Sequence, residues 1–107
     1  MNIVYEKMKL LIPIRNAAKI RDDGEFLIVM SHVHSIQYLN IVAKEFYLLV
    51  DGIKNIDEII NTLIDEYDVS REILECDILE LIRNLQWNDL IMLKDDRKGE
   101  KYEKDIC

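Results

Sequence analysis

Two histidines one residue apart, His32 and His34, are the first candidates for chemistry in this chain. On a strand, residues i and i+2 share a face, so both imidazoles could reach one metal ion. A structural zinc site wants four ligands, however, and no other histidine exists and no cysteine pair lies nearby. The pair therefore reads as polar residues at a strand end. The acidic neighbours Asp65-Glu66 and Asp95-Asp96 diverge by about 100° on a helix, and no glycine-containing calcium loop surrounds them. Three glycines in the whole chain leave no phosphate-cradling loop, and neither a serine elbow nor a Cys/His pairing is evident. Neither a catalytic residue nor a metal or cofactor is expected, which points to a binding module and not an enzyme.

Length and charge narrow the class. At 107 residues with 50% hydrophobic content, the chain suffices for one domain with a single modest core. Its 14 basic and 21 acidic residues give a formal charge of −7, which opposes a phosphate backbone, so nucleic acid is disfavoured. No apolar run approaches the roughly 20 residues of a membrane helix, and no signal-peptide core opens the chain. No membrane and a cytoplasmic location are expected. Cys76 and Cys107 are too few for the bridged framework of a small secreted domain, and Cys76 is expected to be a buried apolar residue.

The elements that would position a site follow from periodicity and punctuation. Residues 1–13 fit neither a period of 2 nor one of 3.6, so they read as a strand, an arm or an oligomer contact, and a homodimer is an open option. Pro13 marks a turn or a sheet edge. Ala17 to Arg21 and Glu25 to Met30 flank Asp22-Asp23-Gly24 and predict a hairpin. Ser35 to Leu39 predicts a third, half-buried strand, with Ile36 and Tyr38 on one face and Ser35, Gln37 and Leu39 on the other. Its place is an edge.

Three helices are expected next. Asn40 caps a helix with Val42, Phe46, Leu49 and Val50 on one face, closed by Asp51-Gly52. Asn55 and Glu58 form a capping box ahead of Ile56, Ile59, Ile60, Leu63 and Ile64. Ser70 caps a longer helix from Arg71 to Asn88 whose stripe Leu74, Ile78, Leu81, Ile82 and Leu85 would be buried. Ile73, Cys76, Leu79 and Trp87 fall outside that stripe. This surplus apolar surface fits an N-terminal arm, a dimer partner or a ligand groove. Leu90 to Leu93 predicts a short strand, and from Lys94 onward ten of fourteen residues are charged, which predicts a disordered tail over residues 94–107.

Strands followed by three helices suggest a winged helix-turn-helix of the α+β class, an N-terminal three-stranded antiparallel sheet followed by three helices. The last helix carries Glu72, Glu75, Asp77 and Glu80 against Arg71 and Arg83, a field that repels DNA.

Leu39-Asn40, Ala43, Phe46, Leu49, Asp51-Gly52, Ile56, Glu58-Ile59, Leu63, Tyr67, Asp77-Ile78, Leu81-Ile82, Leu85 and Leu90-Ile91 together resemble the PqqD-like proteins, the RiPP recognition elements of ribosomally made, modified-peptide biosynthesis. Val42 and Asp89 depart from that pattern, which tends to a small hydroxyl residue at the first position and a Gly at the second. The resemblance covers Leu39 to Ile91 most closely and makes residues 1–93 the recognition domain. It implies a non-catalytic peptide chaperone that binds the leader of a precursor peptide and presents the core to a modifying enzyme, whether a radical SAM enzyme, a cyclodehydratase or a leader peptidase. It further implies leader addition at the third strand (Ser35, Ile36, Gln37, Tyr38, Leu39) against the third helix (Leu74, Asp77, Ile78, Leu81, Asn84, Leu85). A free strand edge and an apolar wall are the physical parts such binding needs. The other reading weighed is a winged-helix regulator or adaptor that binds another protein.

Overall fold

The computed structural model describes residues 3–95 as α1 (Ile3–Met8), β1 (Leu11–Arg15), β2 (Ala17–Asp22), β3 (Leu27–Ser31), β4 (Ile36–Leu39), α2 (Ile41–Leu49), α3 (Ile56–Ile64), α4 (Arg71–Trp87) and β5 (Ile91–Asp95). Side-chain oxygens set the helix starts. Asn40 accepts from the Ala43 N–H at 3.1 Å and Ser70 from the Ile73 N–H at 3.2 Å. Asn55 accepts from the Glu58 N–H at 2.8 Å while Glu58 accepts from the Asn55 N–H at 2.9 Å. Each bond satisfies an amide that has no partner inside its helix.

The end of α4 is fixed as firmly. The Leu90 N–H donates to the Leu85 carbonyl at 2.8 Å and the Asp89 N–H to that of Gln86 at 3.1 Å. With Leu85 and Leu90 both buried, this is a Schellman motif, and Asp89 supplies its left-handed residue at φ 59°. A backbone of that hand favours Gly, which explains in physical terms why Asp89 stands out from the pattern it resembles.

Two antiparallel sheets flank the helices. β2, β3 and β4 lie in that order, and β1 pairs with β5. In β3, Leu27, Val29 and Ser31 are buried while Ile28 and Met30 are half-buried. Leu27 stands opposite Leu39 and Val29 opposite Gln37, so these residues face the core. In the same core Phe46, Ile59, Ile82 and Leu90 are fully enclosed. Buried Ser31 organises the β3–β4 turn by accepting the Ser35 N–H at 2.9 Å and the Val33 N–H at 3.2 Å on its hydroxyl. The chain is thus an α+β fold with antiparallel sheets, and none of its described helices is long and apolar enough to cross a membrane.

The N-terminus departs from expectation. Residues 3–8 form a helix, and Pro13 lies inside β1, opposite Leu93. The Asn16 N–H bonds to the Leu90 carbonyl at 3.0 Å. Because bonded and non-bonded pairs alternate along an antiparallel ladder, Pro13 falls at a non-bonded pair and its missing N–H costs no ladder bond. Tyr5 is the only buried residue of helix α1, and its hydroxyl donates to Asp57 Oδ1. Arg71 reaches the same carboxylate through Nη2 at 2.7 Å and Glu75 through Nε at 2.9 Å. At the other end, β5 includes Lys94 and Asp95, the first two residues of the expected tail. The rest of that expectation, and Cys107, lie outside the described residues.

Candidate functional site

An open groove of about 950 Å³ runs between the outer face of α4 and the start of α2. Asp77, Ile78, Glu80, Leu81, Arg83, Asn84 and Trp87 form one wall, and Asn40, Val42 and Ala43 form the other. Val42, Ala43, Ile78 and Leu81 supply apolar lining, and Asp77, Glu80 and Arg83 bring charges of both signs to the α4 wall. Trp87 is 87% exposed, which is unusual for a side chain with so much apolar area.

Strand β4 leads into this groove. Ser35 Oγ donates to Asn88 Oδ1 at 2.9 Å, so the start of β4 meets the end of α4. Asn40, just past the other end of β4, lines the groove with Asp77 and Ile78. At ~3.3 Å per residue, positions 35–40 span roughly 16 Å, and at ~1.5 Å per residue positions 78–88 span roughly 15 Å. The strand and this part of the helix are thus of similar length, enough for about five extended residues.

β4 pairs with β3 on one side only. The Ser31 N–H donates to the Ser35 carbonyl at 2.9 Å, which makes Ser31 and Ser35 a bonded pair. By the antiparallel alternation Gln37 and Leu39 are bonded to β3 as well, whereas the N–H and C=O groups of Ile36 and Tyr38 point to the open side. Two amides and two carbonyls spaced for strand addition are thus presented. At the opposite edge, β2 carries a bulge between Ala17 and Lys19 together with the cations Lys19 and Arg21, features that discourage pairing.

Contacts of Lys44 and Tyr47 hold the α2 wall. Lys44 Nζ lies 2.7 Å from Asp22 Oδ1 and donates to the Gly24 carbonyl at 3.1 Å. This ammonium, with the Gly24 N–H, keeps the Asp22 carboxyl below the usual carboxylate range. The buried Tyr47 hydroxyl donates to the Leu90 carbonyl at 2.8 Å, tying α2 to the turn after α4, and burial pushes that phenol up from its ordinary value. The Arg15 guanidinium stacks 5.9 Å from the Tyr47 ring centroid.

The expected site residues divide. Asp77, Ile78, Leu81 and Asn84 line the groove, and Ser35 through Leu39 form β4 and its approach. Leu74 and Leu85 share the stripe of Ile78 and Leu81 but are buried in the core and are not among the residues that line the groove. Cys76, expected to be buried, is exposed. Asn40, Val42, Ala43, Glu80, Arg83 and Trp87 were missed as lining residues. Trp87 had a signal, being apolar and off the core stripe, whereas the α2 residues had none, since only the tertiary packing brings them to α4. His32 and His34 sit in the exposed turn after β3, and His34 adopts φ 67°. Among the described residues no three His, Cys, Asp or Glu side chains converge as a metal ion would require.

A family model described as Coenzyme PQQ synthesis protein D (PqqD) matches residues 27–91, more than half of the chain and the stretch from β3 to the start of β5. No curated protein and no solved structure matches the chain.

Proposed function

The chain belongs to the PqqD family, and on that premise we propose that it is the leader-recognition module of a pathway that modifies a ribosomally made precursor peptide. The leader adds as a strand to the open side of β4 and lies in the groove along α4, while the core peptide extends toward a modifying enzyme. That enzyme is a radical SAM enzyme, a cyclodehydratase or a leader peptidase, and the complex works in the cytoplasm. The chain itself performs no covalent step. Its recognition domain comprises residues 1–93, with β2–β4 and α2–α4 as its winged-helix-like part.

One observation carries this reading: Ile36 and Tyr38 turn their amides and carbonyls to the unpaired side of β4, and Asn40, just past that strand, lines the groove along α4. The backbone ladder supplies affinity for any extended peptide, and the groove walls select side chains. Such an interaction corresponds to roughly −8 to −10 kcal/mol, a micromolar to submicromolar Kd. Trp87 is the sole tryptophan and stands at the groove, so it reports occupancy. Titration with the leader of the precursor encoded beside this gene should release or absorb heat and shift the Trp87 emission to the blue. Neither heat nor spectral change at ~100 μM leader would overturn the proposal.

A further inference from the structure

A strand added to β4 presents its side chains alternately to two faces. One set enters the groove beside α4. The other set lies next to Ile36 and Tyr38, which are 50% and 66% exposed. These two share the outer face of the sheet with Met30 and Ile28, their partners on β3. Polarity falls across this face from one edge to the other: Lys19 and Arg21 on β2 stand opposite Met30 and Ile28, and no charge stands on β4. Large apolar side chains are therefore left uncovered at the edge whose amides are open. The edge that carries charge is the one disfavoured for pairing.

We infer that Ile36 and Tyr38 are specificity-determining residues that read the outward side chains of the bound peptide. The peptide this site takes is apolar on both faces, an uninterrupted run of about four apolar residues, and not the apolar–polar alternation of a half-buried strand. This inference rests on strand addition at β4. Residues directly opposite Ile36 and Tyr38 project their side chains to the same face, so each makes a cross-strand pair that buries surface now in water. The inward residues between them meet Ala43, Ile78 and Leu81.

The test is selection of a random decapeptide display library on the immobilised full chain and on the double variant Ile36→Thr, Tyr38→Thr. Threonine keeps strand propensity at these exposed positions, and circular dichroism checks the fold. The wild type should enrich uninterrupted apolar runs of four or more, whereas the variant should enrich alternating sequences. A synthetic peptide taken from the wild-type selection should bind the variant roughly two- to thirtyfold more weakly. Alternating sequences enriched on the wild type, or equal affinity for the two proteins, would overturn the inference and leave strand addition standing. No enrichment on either protein would overturn both.

Discussion

Ser35 Oγ and Asn88 Oδ1 lie 2.9 Å apart, a hydrogen bond that joins the residue before β4 to the cap of α4. The same Asn88 donates through Nδ2 to the Asn84 carbonyl at 2.9 Å, so one side chain ends the helix and sets its distance from the strand. Ser35→Ala should cost about 0.5–1.5 kcal/mol in urea denaturation. Leader affinity should fall by up to about tenfold, since the peptide must then order the end of the strand itself. A double-mutant cycle with Asn88→Ala should give a coupling energy near that of the single bond, and additive effects would show that the contact contributes nothing.

Asp89 occupies the left-handed residue of the Schellman motif at φ 59°. A non-glycine residue pays a steric cost there, offset in part by the greater chain entropy that Gly loses on folding. Asp89→Gly should therefore stabilise the protein, by up to about 1 kcal/mol, with leader affinity unchanged because the side chain does not line the groove. A thermal melt lower than that of the wild type would mean that the Asp side chain makes a compensating contact.

The anchor of α1 gives a prediction at alkaline pH. Burial, followed by the hydrogen bond to Asp57, raises the Tyr5 phenol well above its ordinary value. The folded state thus holds this proton after the unfolded chain has released it. The stability it contributes is fully present below about pH 10, the unfolded value, and is lost as pH rises above that. Tyr5→Phe should cost about 1–3 kcal/mol at pH 7, where it removes a bond to a carboxylate. The gap between the two proteins should narrow from about pH 10 upward. Urea denaturation from pH 7 to pH 11 checks this, and a gap independent of pH would contradict the assignment.

Local signals carried a large part of the fold into view. Asn40, Asn55 with Glu58, and Ser70 mark helix starts by chemistry that acts within three residues, and the strand alternation at Ile36 to Leu39 is local as well. What stayed hidden depends on contacts distant in sequence. Helix α1 shows no helical stripe because Tyr5 alone is buried, and its partner Asp57 lies 52 positions away. Pro13 argued against a strand interior until the register placed it at a non-bonded pair. Leu74 and Leu85 share the apolar stripe with Ile78 and Leu81, and periodicity cannot tell which members of a wide stripe border a groove. Val42 and Ala43 joined the site only because Tyr47 and Lys44 hold α2 beside α4.

Strand addition at β4 is tested most directly by amide hydrogen exchange, residue by residue, with and without saturating leader peptide. The N–H groups of Ile36 and Tyr38 point away from β3, so in the free protein they should exchange freely, while those of Gln37 and Leu39 should be protected. With leader bound, Ile36 and Tyr38 should both become protected by at least tenfold, while the amides of β2 stay unchanged. Tight leader binding with no new protection at Ile36 and Tyr38, or with protection appearing along β2, would contradict it.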